Sequence, residues 1–164
     1  MRPWSVTSIA LAAALAASAS ASGASLPKPA HAVLVIEENR SFQTLIGSND
    51  APYINELAVK GALFTQSFAI THPSEPNYLA LFAGDTEDLA DDSCPHSYTG
   101  ANLAETLEAK GLSFAIYSEG LPQEGFADCG TLDKLYRRKH NPVPNFESVP
   151  TENNQPFSAF PADY

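Results

Sequence analysis

Five consecutive apolar residues, Ala32-Val33-Leu34-Val35-Ile36, run directly into the polar stretch Glu37-Glu38-Asn39-Arg40. Hydrophobicity that is continuous rather than alternating predicts a strand buried on both faces, as in a parallel sheet. A helix is expected next, with Asp50 as its cap, Pro52 in its first turn, Ile54, Leu57 and Ala58 on its apolar face, and Gly61 as its stop. A second strand is read at residues 62–70. A second helix starts near Pro76, whose missing N–H is harmless in a first turn, and carries Tyr78, Leu79, Leu81 and Phe82 before Gly84. Residues 101–110, with Leu103 and Leu107 four apart and Gly111 closing, predict a third helix, and residues 112–117 a third strand. The order of these elements implies a layered α/β fold with a mainly parallel sheet.

From Ser118 onward the pattern dissolves. Pro122, Pro142, Pro144, Pro150, Pro156 and Pro161 punctuate a region with neither helical period nor a useful strand. Long irregular segments of this kind are functional loops or lie against a partner segment. Three strands make a thin α/β sheet, so the domain is expected to be C-terminally incomplete.

The first residues set the compartment. Arg2, an apolar run over residues 9–17, and the small-residue sites Ala17-Ser18-Ala19 and Ala19-Ser20-Ala21 follow the order of a secretory signal peptide, read here as residues 1–24. A flexible Ala/Ser linker would not need that order. Residues 25–164 then form the exported portion, secreted or periplasmic. No later stretch approaches the roughly 20 apolar residues of a membrane span, so no stable membrane anchor is expected. With Lys+Arg 9 against Asp+Glu 19 and a formal net charge of -10, nucleic acid is excluded as a partner, because binding its backbone relies on many cationic contacts. Anionic lipid surfaces are disfavoured on the same ground. Cys94 and Cys129 form an even pair in an exported chain and are expected to be bridged. They lack the CxxC spacing of a metal site.

Two polar segments carry the chemistry. Ser74 lies where the second helix begins, beside backbone N–H groups and a positive dipole end that suit a phosphate. It would equally serve as an ordinary N-cap. Glu38 and Asn39 follow the first strand, at the sheet edge where α/β folds place ligands. Their carboxylate and amide oxygens are hard donors for a divalent cation, or else a solvated strand end. Asn77, one turn beyond Ser74, has an amide N–H₂ to offer a phosphoryl oxygen. His72 is near enough to reach the same site, or serves equally in a structural hydrogen bond. His140 stands in Arg137-Arg138-Lys139-His140-Asn141-Pro142, the chain's one basic cluster, which either draws in an anion or balances neighbouring acids. The acidic patch Glu87, Asp88, Asp91 and Asp92 lacks an EF-hand spacing and reads as a solvated loop.

On these residues the chain resembles the bacterial phosphoesterase family of secreted acid phosphatases and non-specific phospholipases C, within the alkaline phosphatase-like superfamily. Residues 31–42, ending in Arg40-Ser41-Phe42, look like its opening motif, and residues 71–84 like its nucleophile segment. Residues 117–122 and 136–146 match two further blocks, in family order. The resemblance implies an alkaline phosphatase-like α/β/α fold and a metal-dependent phosphomonoesterase. Ser74 would attack and form a phosphoseryl intermediate. Glu38 and Asn39 would hold one or more divalent metal ions, while Asn77, His140 and His72 would bind the substrate phosphate. The Ser-Glu-Pro-Asn-Tyr form is nearer the acid phosphatase branch, and the implied substrate is a phosphorylated small molecule or a phospholipid-derived one. The alternatives are a phospholipase C-type phosphodiesterase and an inactive fragment that at most binds anions. The family's later Asp pair of metal ligands has no counterpart before Tyr164, so the implied site is half a site.

Overall fold

The computed structural model describes residues 28–163, and the expected signal peptide lies outside them. The chain divides into two units, the first ending at Ile36 and the second running from Glu37. In the first, the described residues 28–36 are exposed and form no regular element. The strand expected at residues 32–36 is therefore absent: Val33, Leu34, Val35 and Ile36 are all exposed. The strand expected at residues 62–70 is missing too, with Phe64, Phe68 and Ile70 largely exposed. The reason is the same for both. A buried strand needs backbone neighbours, and neither run belongs to the one sheet found among the described residues.

The second unit carries the elements. Helix α1 (Phe42–Leu45) and helix α2 (Pro52–Lys60) come first. Helix α3 (Glu75–Ala83) ends at Gly84, whose φ of 82° needs no Cβ. Helix α4 (Leu103–Glu108) is capped by Asn102, whose side-chain oxygen accepts the Glu105 N–H. Strand β1 (Ile116–Ser118) pairs in parallel with β2 (Asn154–Pro156). The α/β class with parallel pairing is thus present, in a two-stranded sheet. Strand β2 is polar, which is why no hydrophobic pattern revealed it.

Asp50 does not cap α2. Ala51 stands at that position, and Asn55 organises the turn instead: its Oδ1 accepts the Gly47 N–H while its Nδ2 donates to the carbonyls of Leu45, Ser48 and Ala51.

The core lies between α3, α4 and the segment after residue 140. Leu79, Phe82, Ala104, Val143, Phe146 and Val149 are buried together, with Tyr98, Phe114 and Ile116 against them. Phe82 meets Phe146 edge-on at 5.3 Å between centroids, a favoured aromatic geometry.

The proline-punctuated segment is ordered by buried polar side chains. Arg138 is 6% exposed, and Asn141, Asn145 and Asn154 are no more than 2% exposed. Arg138 donates through Nε to Asn145 Oδ1 (2.8 Å), through Nη1 to the Ala127 carbonyl (2.6 Å), and through Nη2 to the carbonyls of His96 (2.8 Å) and Pro144 (2.6 Å). Asn141 donates to Ser118 Oγ and Asn154 Oδ1, tying this segment to both strands. The Cys94–Cys129 disulfide is formed as expected and closes a loop across 35 positions. Closing a loop of that size stabilises the fold by about 3–4 kcal/mol in the chain-entropy account. No helix among the described residues is long and apolar enough to cross a membrane.

Replacing Arg138 by Met keeps the volume but strands three carbonyls and an amide oxygen. Each buried orphan costs about 1–3 kcal/mol. Arg138→Met is therefore expected to lose at least about 3 kcal/mol in urea unfolding, and a loss under about 1 kcal/mol would show that water satisfies those groups.

Candidate active site

The turn before α3 is built by Asn77. Its Oδ1 accepts the Thr71 N–H (3.1 Å), and its Nδ2 donates to the carbonyls of Thr71 (2.9 Å) and Pro73 (2.8 Å). That knot holds Ser74 at the head of the helix. Ser74 occupies the N-cap position without capping anything. Its hydroxyl instead donates to Glu38 Oε1 at 2.5 Å. The other oxygen of Glu38 lies 2.9 Å from His140 Nε2. This is an ion-pair contact without the alignment of a hydrogen bond, since His140 Nε2 is buried and has no hydrogen-bond partner.

Glu38, Ser74 and His140, drawn from three separate segments, therefore share one site. Burial pushes the His140 imidazole below its ordinary value, with Glu38 opposing and Lys139 reinforcing the shift. Tyr78 stacks obliquely on the His140 ring at 5.5 Å. Burial, with Glu38 adding to it, pushes the Tyr78 phenol up to about 12, so it stays protonated.

The other expected residues are placed differently. Asn39 follows Glu38 with a φ of 66°, a left-handed conformation that Asn tolerates better than most residues. His72 is exposed, and its ring makes no hydrogen bond among the described residues. Asn77 serves the turn; to hold a phosphoryl oxygen it would have to release a carbonyl. The basic cluster is no open anion trap either. Arg138 is buried and spent on carbonyls, and Lys139 pairs with Asp92 at 2.6 Å.

Two residues to which the sequence reading gave no part in the chemistry support the site. Glu75 is 1% exposed, and its Oε1 accepts from Asn145 Nδ2 at 3.1 Å while its Oε2 has no partner. Burial raises its pKa, against the lowering influence of His96, Asn145 and Arg138. Asp92, read as part of a solvated patch, accepts the Glu75 N–H at Oδ1 (2.9 Å) and the Lys139 ammonium at Oδ2 (2.6 Å). Partial burial pushes its carboxyl up, yet those two donors prevail and its pKa lies below the ordinary value. No sequence pattern marks such roles, because the contacts join distant segments.

The donors around Ser74 suit a hard divalent cation in kind: one carboxylate (Glu38), one amide oxygen (Asn39) and the serine hydroxyl. They are few in number, for no group of three or more His, Cys, Asp or Glu residues that could hold a metal ion exists among the described residues.

A serine hydroxyl on a carboxylate at a helix head, in an α/β frame, is the equipment of hydrolases that act on phosphoric esters. The sequence profile of the Phosphoesterase family matches residues 47–164, and the chain belongs to that family. It is 50% identical over 140 residues to the phosphatidylinositol-3-phosphatase of Mycobacterium tuberculosis, covering 84% of this chain and 46% of that protein. It is 36% identical over 124 residues to a probable acid phosphatase of Kluyveromyces lactis, covering 71% and 28%. An acid phosphatase of Aspergillus fumigatus is 37% identical over 99 residues, covering 57% and 22%. The chain thus spans less than half the length of each of these relatives. No solved structure matches it.

The buried Glu75 carboxyl makes stability depend on pH. Its folded pKa is raised above the ordinary 4.5, so its contribution is present below that value and is lost as pH rises through the folded pKa. Glu75→Gln removes this dependence. The melting temperature of the variant should gain on the wild type between pH 4.5 and neutrality; parallel curves would show that Glu75 is already ionised without penalty.

Proposed function

We propose that this chain provides the nucleophile half of an exported, metal-dependent phosphomonoesterase, with Ser74 as the attacking group. The observation that carries this reading is the 2.5 Å hydrogen bond from Ser74 Oγ to Glu38. An ordinary N-cap serine would instead accept from its own helix.

In the proposed reaction Ser74 Oγ attacks phosphorus in line and the bond to the leaving oxygen breaks. Glu38 Oε1 accepts the hydrogen bond of the serine hydroxyl and takes its proton as the Oγ–P bond forms. His140 lies against the other Glu38 oxygen, and from there it would supply the proton that turns the leaving oxygen into an alcohol as its bond to phosphorus breaks. Water then hydrolyses the phosphoseryl group and restores Ser74. Glu38 and Asn39 are the residues that would hold a divalent cation, which when bound supplies charge neutralisation at the phosphate and acidifies the hydroxyl.

The three relatives above are all named phosphatases, which favours a monoester over the diester of a phospholipase C. An open depression of about 670 Å³ beginning at Asn39 and lined by Arg40, Ser41, Thr44, Ser48 and Asp50 offers hydroxyls and a guanidinium to a polar leaving group, as an inositol phosphate would present. The signal-peptide order of residues 1–24 and the Cys94–Cys129 bridge support a secreted or periplasmic site of action.

Ser74→Ala in the full-length gene product is expected to lower kcat on p-nitrophenyl phosphate at least about 10³-fold with folding unchanged by circular dichroism. Wild-type turnover should vanish with a chelator and return with added divalent cation. Retained activity in Ser74→Ala would remove Ser74 as nucleophile. Faster hydrolysis of phosphatidylcholine than of the monoester would favour the diesterase.

A further inference from the structure

We infer that Asp92 is a positioning residue for this site: it caps α3 in place of Ser74, leaving the serine hydroxyl available for chemistry, and holds the histidine turn in register with it. The inference rests on Ser74 as nucleophile.

A helix head presents N–H groups that must find acceptors, and a serine at the N-cap normally supplies one. Here the first turn is satisfied without it. The Glu75 N–H goes to Asp92 Oδ1 at 2.9 Å, from 17 positions away. Pro76 has no N–H to satisfy. The Asn77 N–H goes to the Ser74 carbonyl at 3.0 Å. With the Glu75 and Asn77 N–H groups accounted for, the hydroxyl is not needed as their cap and donates to Glu38.

The same carboxylate reaches the second partner of Glu38. Asp92 Oδ2 accepts the Lys139 ammonium at 2.6 Å, and both side chains are about seven-tenths buried. Glu75 directly follows Ser74, and Lys139 directly precedes His140. One carboxylate thus bridges the immediate neighbours of both groups that touch Glu38. A second bridge joins the same segments, from Glu75 Oε1 through Asn145 to the Arg138 guanidinium. Both legs of the Asp92 bridge end on a carboxylate oxygen, so each is charge-assisted.

In the full-length gene product, kcat and KM for p-nitrophenyl phosphate are compared with melting temperature for four Asp92 and Lys139 variants. Displacing a reacting group by about 1 Å can cost about 100-fold, and losing an orienting partner about 10–100-fold. Asp92→Ala should accordingly lower kcat about 10–100-fold with KM within about threefold. Asp92→Asn keeps an oxygen for the Glu75 N–H and should recover part of that loss. Lys139→Met should lower kcat less than Asp92→Ala, and the Asp92→Ala/Lys139→Met pair should equal Asp92→Ala alone, as groups acting as a unit do. Wild-type kcat in folded Asp92→Ala would overturn the inference. So would a loss that tracks the unfolded fraction, with Asp92→Asn no better than Asp92→Ala; if Asp92→Ala fails to fold, unaltered kcat in Asp92→Asn and Lys139→Met overturns it equally. Full activity in Ser74→Ala would overturn it by another route, since the reading it rests on would have failed while the Asp92 variants reported separately.

Discussion

The buried guanidinium of Arg138 is the contact on which the second unit depends. A planar fork with several donors can satisfy acceptors from several segments at once, which an ammonium cannot do with the same geometry. Arg138 reaches carbonyls at residues 96, 127 and 144 and the amide of Asn145. These lie in stretches with little regular structure of their own. Its neighbours Lys139 and His140 are held in place as a consequence, and through Asn145 so is Glu75 at the head of α3. The arrangement is polar throughout, and each member is costly to leave unpaired.

That polarity explains what the sequence could and could not convey. Helices α2, α3 and α4 were legible because apolar spacing, early prolines and terminal glycines are local signals. So were the disulfide, from parity and export, and the α/β class. Strand β2 escaped because Asn154, Gln155 and Pro156 carry no hydrophobic pattern, and its pairing with β1 rests on backbone bonds and on Asn154 beneath. In the opposite sense, residues 32–36 and 62–70 carry the strand pattern and form no strand. Hydrophobicity records what a segment is suited to bury, and burial requires a partner.

The site divides in the same way. Ser74 and Glu38 were legible as chemistry, and their contact was implied by adjacent strand ends, although those strands are not formed here. His140 was legible as a titratable group in a basic cluster and, by resemblance, as a phosphate binder, and the structure brings it onto Glu38. His72 and Asn77 stand close in sequence to Ser74, yet one is exposed and the other is consumed by the turn. Asp92 carried no signal, since its part depends on Glu75 and Lys139, which lie far from it along the chain.

The fate of the basic cluster bears on how the molecule meets an anion. Lys139 is paired with Asp92 and Arg138 is buried among carbonyls, so neither stands open to an incoming anion in a chain whose formal net charge is -10. A phosphorylated solute approaching from a distance experiences mainly repulsion. Added electrolyte shortens the reach of that repulsion, to about 8 Å at physiological ionic strength. Encounter should therefore quicken rather than slow as salt is raised, the reverse of what a cationic funnel would give.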